Sequence, residues 1–141
     1  MRSWREAISG LVVATLLVAC GGADEEAKQV QPPAPPGAPT TLAERACPDR
    51  SILTYEDFGG PFMYSWCNGC HTSTLAEGQR QKAPVGVDFD TVDDVRAWAD
   101  RIWMRAGDHN VTMPPVGGPE DDERGQLGEW LACGAPVLQV Q

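Results

Sequence analysis

Cys67-Asn68-Gly69-Cys70-His71 places two thiols and an imidazole at the spacing that covalent haem attachment requires. The two-residue spacer brings the sulfurs to neighbouring edges of a porphyrin, where each can close a thioether onto one vinyl group. His71 follows Cys70 directly, so its ring is delivered to iron as an axial ligand. A bare CxxC would serve a redox dithiol or half of a zinc site equally well; the adjacent histidine argues for one covalent haem c as the cofactor.

The residue on the other face of the iron would then decide the chemistry, and Met113 is the candidate. It lies in Thr112-Met113-Pro114-Pro115, where the prolines restrict the backbone and stiffen it after the thioether. A thioether ligand favours ferrous iron and raises the reduction potential. A methionine by itself is more often a core filler; its place after the CxxCH and before a capped terminal helix changes that balance. His109, in Gly107-Asp108-His109-Asn110, reads as a polar loop residue that would give bis-histidine ligation at lower potential. Met104, within a helix, and Met63, close before the motif, read as packing residues, as do Trp66, Trp98, Trp103 and Trp130.

Three helices are expected to position these groups. The first is short, with Pro61 near its start after Gly59-Gly60, and Phe62, Met63 and Trp66 leading into Cys67. Tyr55 and Phe58 suit an earlier turn, separated by the Gly-Gly-Pro break. The second opens on a Thr91/Asp94 capping box, carries Val92, Val95, Ala99, Ile102 and Ala106 near one stripe, and stops at Gly107. The third runs from Pro119 to Cys133, with Glu120-Asp121-Asp122-Glu123 at the positive end of its dipole and Leu127, Trp130 and Leu131 as its apolar face. Gly125 and Gly128 suit close approach by another helix. Residues 78–89 read as a loop around the haem edge. No strand pattern or repeat is present.

The amino terminus reads as an export signal: Arg2 and Arg5 precede an apolar run from Leu11 to Val18 that is too short to span a bilayer stably. Leu17-Val18-Ala19-Cys20 resembles the lipobox of bacterial lipoproteins, in which cleavage before the cysteine leaves Cys20 lipidated; an ordinary signal peptide or an uncleaved anchor is the alternative. More than one acyl chain gives firm anchoring. Gly21, where enteric inner-membrane lipoproteins carry aspartate, favours the outer membrane. Residues 20–46 then form a Pro-rich tether. Residues 1–19 contain Arg2, Arg5 and Glu6, so of 11 basic and 20 acidic side chains 9 and 19 remain after cleavage, and the formal charge moves from −9 to −10. That balance argues against nucleic acid as a partner and against a basic patch as the membrane contact. With Cys20 assigned to lipid and Cys67 and Cys70 to haem, Cys47 and Cys133 are left to form a disulfide, which export permits, or to remain two buried thiols.

Taken together, the CxxCH, Met113-Pro114 and a terminal helix bearing Leu127, Trp130 and Leu131 resemble a class I monohaem cytochrome c over residues 47–136, with a tail at 137–141. The resemblance implies an all-α small cytochrome c fold, three main helices around a covalently attached haem, with the first and last helices crossing. It implies His71 and Met113 as axial ligands and one-electron transfer with redox protein partners, not catalysis, while the export signal and lipobox point to a periplasm-facing lipoprotein of the bacterial envelope. The family often holds the imidazole N–H with a proline carbonyl, here Pro84. Arg80 and Lys82 could neutralise a haem propionate or be ordinary surface charges. The lysine-rich docking face of mitochondrial relatives is missing. A haem enzyme or sensor with an open axial position, and a CxxC thiol-disulfide oxidoreductase, are the alternatives.

Overall fold

In the computed structural model, which describes residues 30–139, helices are the regular secondary structure and no strand occurs among those residues. The export signal, Cys20, the first part of the tether and residues 140 and 141 lie outside the described residues. No helix among those described is long and apolar enough to cross a membrane.

Thr54 starts the first helical segment by accepting the Asp57 N–H on its side chain. Tyr55–Gly59 forms a π-helical turn that runs straight into α1, Gly60–Trp66, so the expected Gly-Gly-Pro break does not occur. The reason lies in the wider turn. Gly60 N–H reaches back to Tyr55 O, which expands the backbone just ahead of Pro61, a residue that brings no N–H and a ring needing room against the preceding turn. Gly59 is also needed for packing, since a Cβ there would overlap the Trp130 ring. Tyr55 and Phe58 complete the contact, each 6.2 Å from Trp130 between ring centroids. The Tyr55–Trp66 segment therefore meets Trp130 through Gly59.

The helix expected from Thr91 to Gly107 is two, α2 at Val92–Ala97 and α3 at Ala99–Ala106. The capping box is present: Asp94 N–H donates to Thr91 Oγ1 at 3.2 Å and Thr91 N–H to the Asp94 carboxylate at 2.9 Å. At Trp98 the N–H is shared between Asp94 O and Val95 O, each at 3.1 Å, which tightens the backbone for one residue. Ile102 N–H still finds Trp98 O at 2.9 Å, so the apolar stripe survives the break. Val95, Ile102 and Ala106 are buried on it together with Trp103.

α4 spans Asp121–Ala132, shorter than the expected Pro119–Cys133, with a capping box between Glu120 and Glu123. It ends in a Schellman motif: Gly134, at φ 82°, bonds Leu131 O, and Ala135 N–H bonds Trp130 O, both at 2.9 Å. Leu127, Trp130 and Leu131 are buried in a core shared with Phe62, Met63, Phe89, Val95, Ile102 and Trp103. Of the two glycines expected to admit a neighbouring helix, Gly125 faces open space, and Gly128 is approached by the Asp108 carboxylate from a loop.

Cys47 and Cys133 are joined by a disulfide, which ties the end of α4 to the segment before Ser51. Described residues outside the expected limits of 47 and 136 also make contacts with residues inside them. Leu42 packs against the core, and Arg45 pairs with Asp108 at 3.2 Å. The Gln31 side chain bridges His109 O at 2.7 Å and Val111 N–H at 2.9 Å. The later part of the expected tether is thus docked on the domain. At the other end, Tyr55 N–H bonds Pro136 O and Leu138 N–H bonds the Glu56 carboxylate.

Candidate functional site

The CxxCH segment is a turn folded back on the end of α1. Cys67 N–H and Asn68 N–H both return to Met63 O, at 2.9 and 2.8 Å, and Cys70 N–H and His71 N–H both return to Cys67 O, at 3.1 and 2.9 Å. Those bonds gather the two thiols and the imidazole on a single turn. Cys67 and Cys70 are free and partly buried. Burial, and secondarily the neighbouring Cys70, push the Cys67 thiol up to about 12, so it stays protonated at neutral pH. A cleft of about 510 Å³ opens beside the turn, lined by Tyr64, Ser65, Asn68, Gly69, Thr72 and Thr74. The buried Asn68 Oδ1 has no hydrogen-bond partner among the described residues.

His71 is fixed on two sides. Its ring stacks on Phe89 with centroids 4.8 Å apart and planes 21° from parallel, while Phe89 N–H bonds His71 O at 3.0 Å. Nδ1 lies 2.9 Å from Val87 O. A carbonyl only accepts, so Nδ1 carries a proton, and in the neutral ring Nε2 then keeps the lone pair that a metal could take. Asp90 holds the following segment through Ser73 N–H at 2.8 Å, and hydrogen bonds from Thr72 first and then Ser73 keep its carboxyl below the usual carboxylate range.

The carbonyl on the imidazole is therefore Val87's and not Pro84's. Pro84 O accepts instead from Arg80 Nη2 at 3.0 Å. Arg80, expected either to meet a propionate or to be an ordinary surface charge, is 1% exposed and turned inward. Nη1 donates to Thr72 O at 2.6 Å, and Nη2 also to Val87 O at 3.1 Å and to the Asp88 carboxylate at 2.6 Å. The turn that follows explains the inversion. Gln81 and Lys82 both adopt positive φ, 49° and 72°, which curls the chain back over the guanidinium and leaves Lys82 exposed.

Met113 lies on the loop joining α3 to α4, separate from the loop that follows His71. Its N–H donates to Arg105 O at 2.8 Å, its side chain is 38% exposed, and the peptide bond to Pro114 is cis. Its carbonyl is held at 3.0 Å by Arg124 Nη1, which also reaches Ala106 O and Asn110 O. Arg124 is 3% exposed. Burial lowers its pKa, against the charges of Asp121 and Glu123. Sequence reasoning passes over it, although a signal exists: Arg124 shares the spacing of Leu127, Gly128 and Leu131 and so sits on the buried face of α4. Arg124→Met is expected to leave three carbonyls, that of Ala106 buried and those of Asn110 and Met113 part-buried, without this donor. Amide exchange at Asn110, Val111 and Met113 should then accelerate about 30-fold, equivalent to about 2 kcal/mol of local stability. An unchanged exchange pattern would show that the loop stands without it.

The alternative ligands are distributed unevenly. His109 is half-buried with its ring edge-on to Trp103, and its carbonyl accepts from Gln31. Met63 is 1% exposed, a packing residue as expected, but Met104 is 49% exposed and projects from α3 rather than packing. Among the described residues no three His, Cys, Asp or Glu side chains form a group able to hold a metal ion without further ligands. Comparison with protein-family models, with curated proteins and with solved structures returns no match to this chain.

Proposed function

We propose that this chain is a monohaem c-type cytochrome with a class I fold, an electron carrier rather than an enzyme, held in the bacterial cell envelope by lipid on Cys20. The reading rests above all on His71. Its Nδ1–H is bound to Val87 O while Nε2 is left with its lone pair, on the same turn as two free thiols. That donor set fits a haem attached through Cys67 and Cys70.

Haem, when bound, supplies a one-electron couple. The protein's own part is to hold and to exclude. Val87 O fixes the His71 tautomer, and Phe89 restricts rotation of the ring. Met113, its backbone bonded to Arg105 and Arg124, would hold the iron together with His71. Were His71 and Met113 both to hold the iron, no substrate would reach the metal, and the haem would exchange electrons with redox protein partners. The acidic balance of the chain favours partners without an acidic docking face and disfavours nucleic acid.

Protein made with its export signal in a host competent for c-type cytochrome assembly should show, after denaturation, an intact mass greater by one haem. The added mass should survive acidified organic solvent and disappear in Cys67→Ser/Cys70→Ser. Extraction of all the haem from the wild type under those conditions would exclude covalent attachment.

A further inference from the structure

We infer that Arg80 is a positioning residue for the bond between His71 and iron, acting through the Val87 carbonyl. One oxygen serves two donors: His71 Nδ1 at 2.9 Å and Arg80 Nη2 at 3.1 Å. An acceptor on Nδ1–H gives the imidazole anionic character and makes it a stronger donor to ferric iron. A guanidinium drawing on the same oxygen weakens that acceptor, and its positive charge disfavours the ferric state further. Both effects raise the reduction potential. The Asp88 carboxylate, 2.6 Å from Arg80 Nη2, opposes the second effect by partly neutralising the guanidinium.

The surroundings of Arg80 suit it to aim this carbonyl. Its donors reach Thr72 O, Ala83 O, Pro84 O and Val87 O, binding the residue after His71 to the far limb of the loop. Two successive non-glycine residues at positive φ, Gln81 and Lys82, cost backbone energy that the loop must recover elsewhere. Arg80, with a side chain 2% exposed, supplies the bonds that hold this turn. Asp88 is the adjustable part, since its side chain is 20% exposed.

The inference rests on the proposed haem ligation by His71 and is tested on the haem-loaded full chain, with potentiometry and the Nδ1–H proton resonance of the reduced protein as readouts. Arg80→Met should lower the potential and move the His71 Nδ1–H resonance downfield as Val87 O turns wholly to the imidazole. Arg80→Lys, which keeps the charge but loses the fork, should fall between Arg80→Met and wild type. Asp88→Asn tests the same circuit without touching Arg80: it should raise the potential. A loss of stability in Arg80→Met with the potential and resonance of wild type, or an unchanged or lowered potential in Asp88→Asn, would overturn the inference and leave the haem assignment standing. Should Arg80→Met fail to take up haem, the sign of the Asp88→Asn shift decides the matter. A wild type without covalent haem overturns the ligation reading and this inference with it.

Discussion

Met113→Ala is expected to open one axial position. Far-red sulfur-to-iron absorption should disappear from the ferric protein, carbon monoxide should bind the ferrous protein, and the reduction potential should fall. Axial ligands set haem potentials over a range of roughly 0.8 V, and loss of a thioether from a His/Met pair should cover a substantial part of it. The Met113 N–H and carbonyl are both bonded, to Arg105 and Arg124, and the residue is partly exposed, so its replacement by alanine should leave the loop's backbone bonds in place. Two controls are needed. His109→Ala tests bis-histidine ligation, and Met104→Ala tests the one other methionine that the fold leaves outward among the described residues, at 49% exposure. On sequence grounds Met104→Ala tests packing; with so exposed a side chain it should cost little stability and becomes a ligand test. Low-spin character retained in Met113→Ala and lost in either control would move the sixth ligand to that residue.

Replacing both bridge cysteines, as Cys47→Ser/Cys133→Ser, is expected to cost about 4–5 kcal/mol. The sequence separation is 86, and closing so long a loop removes that much conformational entropy from the unfolded chain before native strain is considered. For a domain near 100 residues this corresponds to roughly 20–30 °C in Tm. The bridge also has a local effect, because Cys133 caps α4 immediately before the Gly134 and Ala135 Schellman turn. Arg96 reaches the carbonyls of those two residues from α2, so loosening the bridge should be felt there as well. Guanidinium unfolding of the double variant beside wild type measures the difference. A change under about 1 kcal/mol would place the bridge among ordinary surface substitutions and refute the loop-entropy argument.

What the amino-acid sequence determined is what short-range chemistry dictates. The Thr91/Asp94 capping box, the stop at Gly134, the buried stripe through Val95, Ile102 and Ala106, and the packing of Leu127, Trp130 and Leu131 each follow from residues within a turn or two of one another. The gathering of Cys67, Cys70 and His71 on one turn is equally local. The disulfide was reachable by elimination among five cysteines. Tertiary structure decided the rest, because a carbonyl oxygen carries no mark in the sequence of which distant donor will find it. Pro84 and Val87 offer the same acceptor, and only the positive-φ turn at Gln81 and Lys82 sends one to Arg80 and the Val87 N–H and the other to His71 and Arg80. Arginine is by type mostly an exposed residue, yet Arg80 and Arg124 are both buried, since three or more backbone carbonyls converge on each and supply the acceptors that replace water. Gln31 is separated from Val111 by 80 residues, and no periodicity links them. That a Pro-rich segment ends up bonded to the loop carrying Met113 is a property of the folded chain alone.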